Sequence, residues 1–183
     1  MVLVYLFASN TCSGCNLDGS SGCCNIFFGK YAGKEVTNGH NNVYIGGNAG
    51  CDQRAGDHNV ALGNGAGKKD RGNRNIFIGY YAGEDVISSS AADNIYIGSL
   101  AGHGQDCGCC NIAIGRYSLS SGTDASSKFN LAIGACSGKC ITSGNYNVTL
   151  GHCAGRTIST ANHTIAIGCR AAASGAMTGN HNI

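Results

Sequence analysis

The sequence contains no proline and no tryptophan, and only 12% of its 183 residues are charged. Disordered chains are strongly charged and poor in aliphatic residues, whereas 43% of this chain is hydrophobic, so disorder is a poor explanation. A net charge of +2 gives no basic patch for nucleic acid or an anionic membrane. The most notable apolar run, residues 2–8, is too short to cross a bilayer. The 30 glycines recur about once per repeat rather than at every third residue, which excludes collagen.

A nine-residue unit recurs along the chain, and its clearest copy is Asn75-Ile-Phe-Ile-Gly-Tyr-Tyr-Ala-Gly83. Complete copies begin at residues 25, 42, 59, 75, 94, 111, 130, 147 and 164, and a further copy begins at residue 182. Successive starts are 16 to 19 residues apart, a period that is typical of solenoids. We number the residues of the unit as positions 1 to 9, so that Asn75 is position 1 and Gly83 is position 9.

Positions 2 and 4 are aliphatic or phenylalanine in all nine complete copies. Alternation with a period of two places both positions on one face of a short β-strand, and we expect that face to form the core. The sequence therefore predicts an all-β fold, a parallel β-solenoid of about ten coils with ~17 residues each. We interpret residues 1–183 as one array: a degenerate first coil over 1–21, nine regular repeats over 22–181 and a truncated tenth at 182–183. In the first coil, Val4-Tyr5-Leu6 is the expected strand, and a cryptic signal peptide is the alternative.

Two positions of the unit have clear structural interpretations. Asn stands at position 1 in nine of ten copies, where stacked amides can form a hydrogen-bonded ladder; a row that binds a ligand is the alternative. Position 5 is glycine in every complete copy, which predicts a turn with positive φ or a close backbone approach. These turn glycines are Gly29, Gly46, Gly63, Gly79, Gly98, Gly115, Gly134, Gly151 and Gly168.

Position 3 carries no charge in any copy, although alternation places it opposite the expected core. An uncharged stripe along a rod is a larger apolar patch than soluble monomers usually expose, so we expect it to be buried against another chain. The alternative is that position 3 packs on the second strand of its own coil. The expected oligomer interface consists of Phe27, Tyr44, Ala61, Phe77, Tyr96, Ala113, Ala132, Thr149 and Ala166.

The string Asn-x-Ala-Ile-Gly, seen at 111–115 and 130–134, resembles the head repeat of YadA-like trimeric autotransporter adhesins. The longer form with its Ile-Gly-x-x-Ala-Gly ending is similar to repeats of phage tail fibres. The resemblance covers residues 22–183 and implies a left-handed β-roll, three chains side by side, and a location outside a cell or on a virion. The family repeat is typically shorter than this one, and no stalk or anchor barrel follows here, so we expect this chain to be a piece of something longer.

The twelve cysteines are foreign to that pattern. Cys136 and Cys153 share position 7 of adjacent coils, where Cα atoms ~5 Å apart fit a disulfide, and a bridge is one hypothesis. Reduced thiols are the competing interpretation. Zinc is another alternative, held by Cys12, Cys15, Cys23 and Cys24 or by His103, Cys107, Cys109 and Cys110, but neither set has the spacing of known zinc modules. We therefore predict no metal and no cofactor.

Motifs for catalysis are lacking: there is no nucleophile elbow, Walker loop or His-Glu-x-x-His. The sequence therefore predicts a structural or adhesive extracellular fibre segment, not an enzyme, whose loops attach to a surface receptor or glycan. The expected state is a homotrimer that neither binds nucleic acid nor inserts into a membrane. A phage tail-fibre shaft is the main alternative. A monomeric flat-faced binder such as an ice-binding protein is a lesser one, because its regular threonine row is missing.

Overall fold

The computed structural model describes residues 7–9, 22–121, 125–174, 177 and 179–183. Ten strands of three residues each follow one another: β1 (Phe7–Ser9), β2 (Ile26–Phe28), β3 (Val43–Ile45), β4 (Val60–Leu62), β5 (Ile76–Ile78), β6 (Ile95–Ile97), β7 (Ile112–Ile114), β8 (Leu131–Ile133), β9 (Val148–Leu150) and β10 (Ile165–Ile167). They form a single parallel sheet in chain order, so each turn of the chain adds one strand beside the last. The predicted parallel β-solenoid is confirmed.

The coils stack in the register that the repeat predicts. In the β5–β6 pair, for example, Phe77 lies opposite Tyr96, and the flanking positions match in the same way. Hydrogen bonds also join the coils outside the sheet, as where the Gly83 amide donates to the Ala101 carbonyl at 2.9 Å. The differences in repeat length fall in the segment between position 9 and the next copy.

The first coil differs from its prediction. Its strand is β1, in which Phe7 lies opposite Ile26 and Ser9 opposite Phe28. The strand therefore begins three residues after the predicted Val4, and residues 4–6 lie outside the described part of the chain.

The central strand residue, not its neighbours, points into the coil, so the predicted orientation of the strands is wrong. The residues at position 3 are at most 4% exposed within the single chain: Phe27, Tyr44, Ala61, Phe77, Tyr96, Ala113, Ala132, Thr149 and Ala166. They are buried within their own coil, as in the alternative interpretation, and are not available as an oligomer interface. The described strands all belong to one sheet, however, so the second strand that this interpretation supposed is not seen among the described residues. A strand of three residues presents one side chain to one face and two to the other, and this narrow coil accommodates only the single one.

Positions 3 and 9 exchange side-chain volume in some of the coils. The Phe77 ring lies where a Cβ on Gly83 would come within 2.3 Å of it, so position 9 must be glycine beside a large ring. Where position 3 shrinks to Ala113, position 9 becomes Leu119, which is fully buried. Interiors are packed to crystal-like density, and this exchange keeps the narrow core filled.

The asparagine ladder at position 1 is confirmed. The Asn75 Oδ1 accepts a hydrogen bond from the Asn94 backbone amide at 3.0 Å, and the Asn94 Oδ1 accepts one from the Asn111 amide at 3.0 Å. The Asn94 Nδ2 also donates to the Gly108 carbonyl at 2.9 Å. These amides are fully buried, so each rung satisfies backbone groups that would otherwise be desolvated without partners.

All nine position-5 glycines have the predicted positive φ, and all but Gly168 also lie close to the backbone of the next coil. Their φ angles lie between +122° and +133°, a region that L-residues with side chains rarely adopt. A Cβ on Gly79 would also approach the Gly98 carbonyl of the next coil within 2.8 Å.

Candidate functional site

The two strand residues that flank position 3 face outward and form two parallel columns along the sheet. We call these columns the outer aliphatic face. They are Ile26, Val43, Val60, Ile76, Ile95, Ile112, Leu131, Val148 and Ile165 at position 2, with Phe28, Ile45, Leu62, Ile78, Ile97, Ile114, Ile133, Leu150 and Ile167 at position 4. Every one of them is intermediate or exposed.

The exposure of this face is substantial near the ends of the sheet. Ile26 is 44% exposed, Phe28 47% and Ile167 64%, whereas the central strands shield one another to intermediate levels. Parallel sheets in soluble proteins are normally covered on both sides, and a contiguous apolar patch of this kind marks an interaction site. The outer aliphatic face is therefore the candidate functional site.

Sequence reasoning missed this face because it assigned positions 2 and 4 to the interior. The signal was nevertheless present. Neither the strand centre nor its flanks carry a charge, so whichever set faced inward, the other would be left as an uncharged stripe.

A second feature lies at the edge where each repeat begins. The residue before position 1 adopts a left-handed conformation at each copy from residue 25 onward, with φ between 55° and 61°. In the later coils this row carries stacked rings: Phe129 on Tyr146 at 4.9 Å, Tyr146 on His163 at 5.1 Å, and His163 on His181 at 4.8 Å between centroids. Phe129 and Tyr146 are about half exposed, so the edges of these rings are open to solvent.

An open groove of about 430 Å³ lies beside this ring stack. Lys128, Phe129, Asn145 and Tyr146 line it, together with serines from neighbouring coils. Aromatic edges next to amide, hydroxyl and ammonium groups suit a polar ligand with apolar patches. The residues that line the groove come from the inter-repeat segments.

The bridge between Cys136 and Cys153, one of two hypotheses for these residues, is not formed in the structure, where both are free thiols. They occupy position 7 of adjacent coils as predicted, but the Cys153 Sγ lies 3.6 Å from the His152 Nε2. Burial raises the pKa of the Cys51 thiol to about 11, with Asp52 adding to the rise, so this thiol is protonated near neutral pH.

Neither candidate set of zinc ligands is assembled within the described part of the chain. Cys12 and Cys15 lie outside the described residues. Cys23 lies instead beside the imidazole of the next coil, with its Sγ 3.2 Å from the His40 Nδ1. His103 lies close to the carboxylates of Glu84 and Asp85 and does not form a cluster with the cysteines that follow it.

No protein-family model matches the sequence, and the searches of curated proteins and of solved structures likewise found no match. Within the described residues, no helix is long and apolar enough to cross a membrane. The structure itself shows a parallel β-solenoid of stacked coils.

Proposed function

We propose that the chain is a structural and adhesive segment of an extracellular fibre, in which three copies associate side by side through the outer aliphatic face. The observation that carries this proposal is the face itself: both columns are apolar in all nine strands from β2 to β10. The resemblance to YadA-like head repeats suggests that three chains associate and that the fibre lies outside the cell.

A second copy of the same chain is the occupant that fits this face best. Successive ridges repeat at the strand spacing of ~4.8 Å, and an identical solenoid offers the same spacing over the full length. Any unrelated surface would lose register after a few ridges. A homotypic interface also explains why no position in either column is charged, since one charge would be buried in every copy.

The face is at the small end of the range of protein–protein interfaces. Nine rungs at ~4.8 Å give a strip roughly 40 Å long, and two columns of side chains make it about 10 Å wide. The resulting area, on the order of 400 Å² per chain, is worth about 10 kcal/mol at ~25 cal/mol per Å² before the cost of association. In a trimer, each chain would contact two neighbours, and together these neighbours would bury the whole strip.

The adhesive part of the proposal rests on the groove beside the ring stack. Phe129 and Tyr146, which line the groove, each stand directly before position 1 of a repeat, whereas the outer aliphatic face consists of positions 2 and 4. The scaffold would hold such grooves in fixed repeat positions, and a receptor or glycan would meet several copies at once.

Light scattering on the purified chain tests the association. We expect a mass near three times 18.6 kDa that persists on dilution. Ile78→Asp and Ile114→Asp should give folded monomers, because each places a charge in the centre of the interface. The matched control, Ser89→Asp, adds the same charge to an exposed inter-repeat residue and should leave the mass unchanged. A wild-type monomer at all concentrations would refute the proposed association, and a stable dimer would refute the threefold arrangement.

A binding assay tests the adhesive part separately. Beads coated with the wild-type chain should bind members of a glycan panel, and Tyr146→Ala should reduce that binding without changing the oligomeric mass. Binding that is unaffected by Tyr146→Ala, or no binding at all, would contradict a role for the groove and leave a purely structural fibre.

A further inference from the structure

Two neighbouring coils bring one imidazole and two carboxylates together. The His103 Nε2 lies 3.6 Å from the Glu84 Oε2 and 3.4 Å from the Asp85 Oδ2. Each of the three residues offers one atom that could ligate a metal ion, and these three atoms lie within 4.8 Å of one another. The proposed fibre function makes no use of this cluster.

The solenoid itself sets the geometry of the cluster. Glu84 and His103 each follow the glycine at position 9 of their unit, so they occupy the same register on adjacent rungs. The Gly83 amide donates to the Ala101 carbonyl at 2.9 Å, which fixes the two rungs relative to each other directly before the cluster. The backbone at the base of the cluster is therefore preorganised by coil stacking rather than by a flexible loop.

A lysine fixes the orientation of one carboxylate. The Lys69 Nζ lies 2.8 Å from the Asp85 Oδ1, which leaves the Asp85 Oδ2 facing His103. Hydrogen-bonded partners of this kind orient metal-binding carboxylates in known sites. The cluster is also sheltered, because the side chains of Glu84, Asp85 and His103 are 19%, 23% and 27% exposed.

The electrostatics of the cluster favour a cation between the carboxylates. Two carboxylates on consecutive residues repel each other when both are ionised, and a shared divalent ion would relieve that repulsion more fully than a single imidazolium.

We propose that Glu84, Asp85 and His103 bind a divalent transition-metal ion that links two adjacent coils. The ion would take one imidazole nitrogen and two carboxylate oxygens, with water completing its coordination. An imidazole ligand disfavours Ca²⁺ and Mg²⁺, which prefer oxygen donors throughout, and the set contains no thiolate. The ion would stabilise the stack at the start of the long inter-repeat segment that follows Asp85.

Mn²⁺ is the appropriate probe, because carboxylates suit it and the free cysteines of this chain would compete strongly for Zn²⁺. Electron paramagnetic resonance measures free Mn²⁺ during titration of the full chain. We expect one bound ion per chain, and binding at least about tenfold weaker in His103→Gln and in Glu84→Gln. The matched control is His58→Gln, an exposed histidine outside the cluster, which should bind as the wild type does.

Thermal unfolding provides a second measurement that does not depend on a bound-ion signal. Mn²⁺ should raise the melting temperature of the wild type and of His58→Gln but not that of His103→Gln. The monomeric Ile78→Asp variant should bind the ion equally well, so this test is independent of the proposed trimer. Undiminished free Mn²⁺, equal binding by His103→Gln, or displacement of Mn²⁺ by equimolar Ca²⁺ would each overturn the assignment and leave His103 as an ion-pair partner only.

Discussion

Replacing each of two position-5 glycines in adjacent coils with alanine distinguishes the torsional cost of a side chain from its steric cost. Gly151 and Gly168 have nearly equal φ angles, +128° and +122°. A Cβ on Gly151 would lie 2.6 Å from the Gly168 carbonyl oxygen, whereas a Cβ on Gly168 would meet nothing within 4 Å. Alanine at either position therefore adopts the same unfavourable torsion, but only Gly151→Ala also pushes against the next coil.

The expected magnitudes follow from these two terms. The torsion should cost ~1–3 kcal/mol in both variants, and loss of unfolded-state freedom on replacing glycine offsets roughly 0.5–1 kcal/mol of it. Displacing the neighbouring backbone should add about 1–3 kcal/mol in Gly151→Ala alone. We therefore expect Gly151→Ala to be the less stable variant by at least ~1 kcal/mol.

Urea unfolding followed by circular dichroism measures the two free energies. Because terminal coils of a solenoid can open separately, native-state hydrogen exchange of β9 and β10 should accompany it. Adjacent coils near the same end make the comparison insensitive to position in the array. Equal destabilisation of the two variants would refute the steric argument, and no destabilisation by Gly168→Ala would refute the torsional one.

The remaining predictions concern polar groups inside the coil. Burial holds the pKa of Asp70 well above its ordinary 3.8, against opposing hydrogen bonds from Gly72 and Asn75. Its protonated form is thus favoured on folding, so its contribution to stability is complete below about pH 3.8 and is lost as the pH rises toward the raised value. Asp70→Asn should then be ~1–3 kcal/mol more stable than the wild type at pH 7 but not at pH 3.5, as measured by urea unfolding; an unchanged pH dependence would contradict this. Asn94→Ala should cost about 3 kcal/mol, because it leaves the buried Gly108 carbonyl and the Asn111 backbone amide of the next rung without this partner, and a cost below ~1 kcal/mol in the same assay would refute the ladder's importance. Thr164 stands at position 1, where the other copies have asparagine. Thr164→Asn should complete the ladder and raise stability by roughly 0.5–1 kcal/mol, and a loss of stability would count against that account.

Features that depend on the local backbone could be predicted from the sequence. A glycine at every position 5 specifies a torsion that only glycine adopts readily, and an asparagine at every position 1 specifies an amide that bonds to the next rung. Both requirements act within one coil and its neighbour, so they leave the same residue in every copy. For that reason the parallel solenoid, the coil register and the asparagine ladder followed from the repeat alone.

The direction in which each strand faces was decided only by the tertiary structure. In Ile76-Phe77-Ile78 all three side chains are apolar, so alternation separates Phe77 from its neighbours without showing which set is inside. The width of the closed coil decides it, since one ring fits against Gly83 and two flanking side chains do not. The cluster of Glu84, Asp85 and His103 has the same origin, because residues 18 and 19 positions apart become neighbours only when successive coils stack.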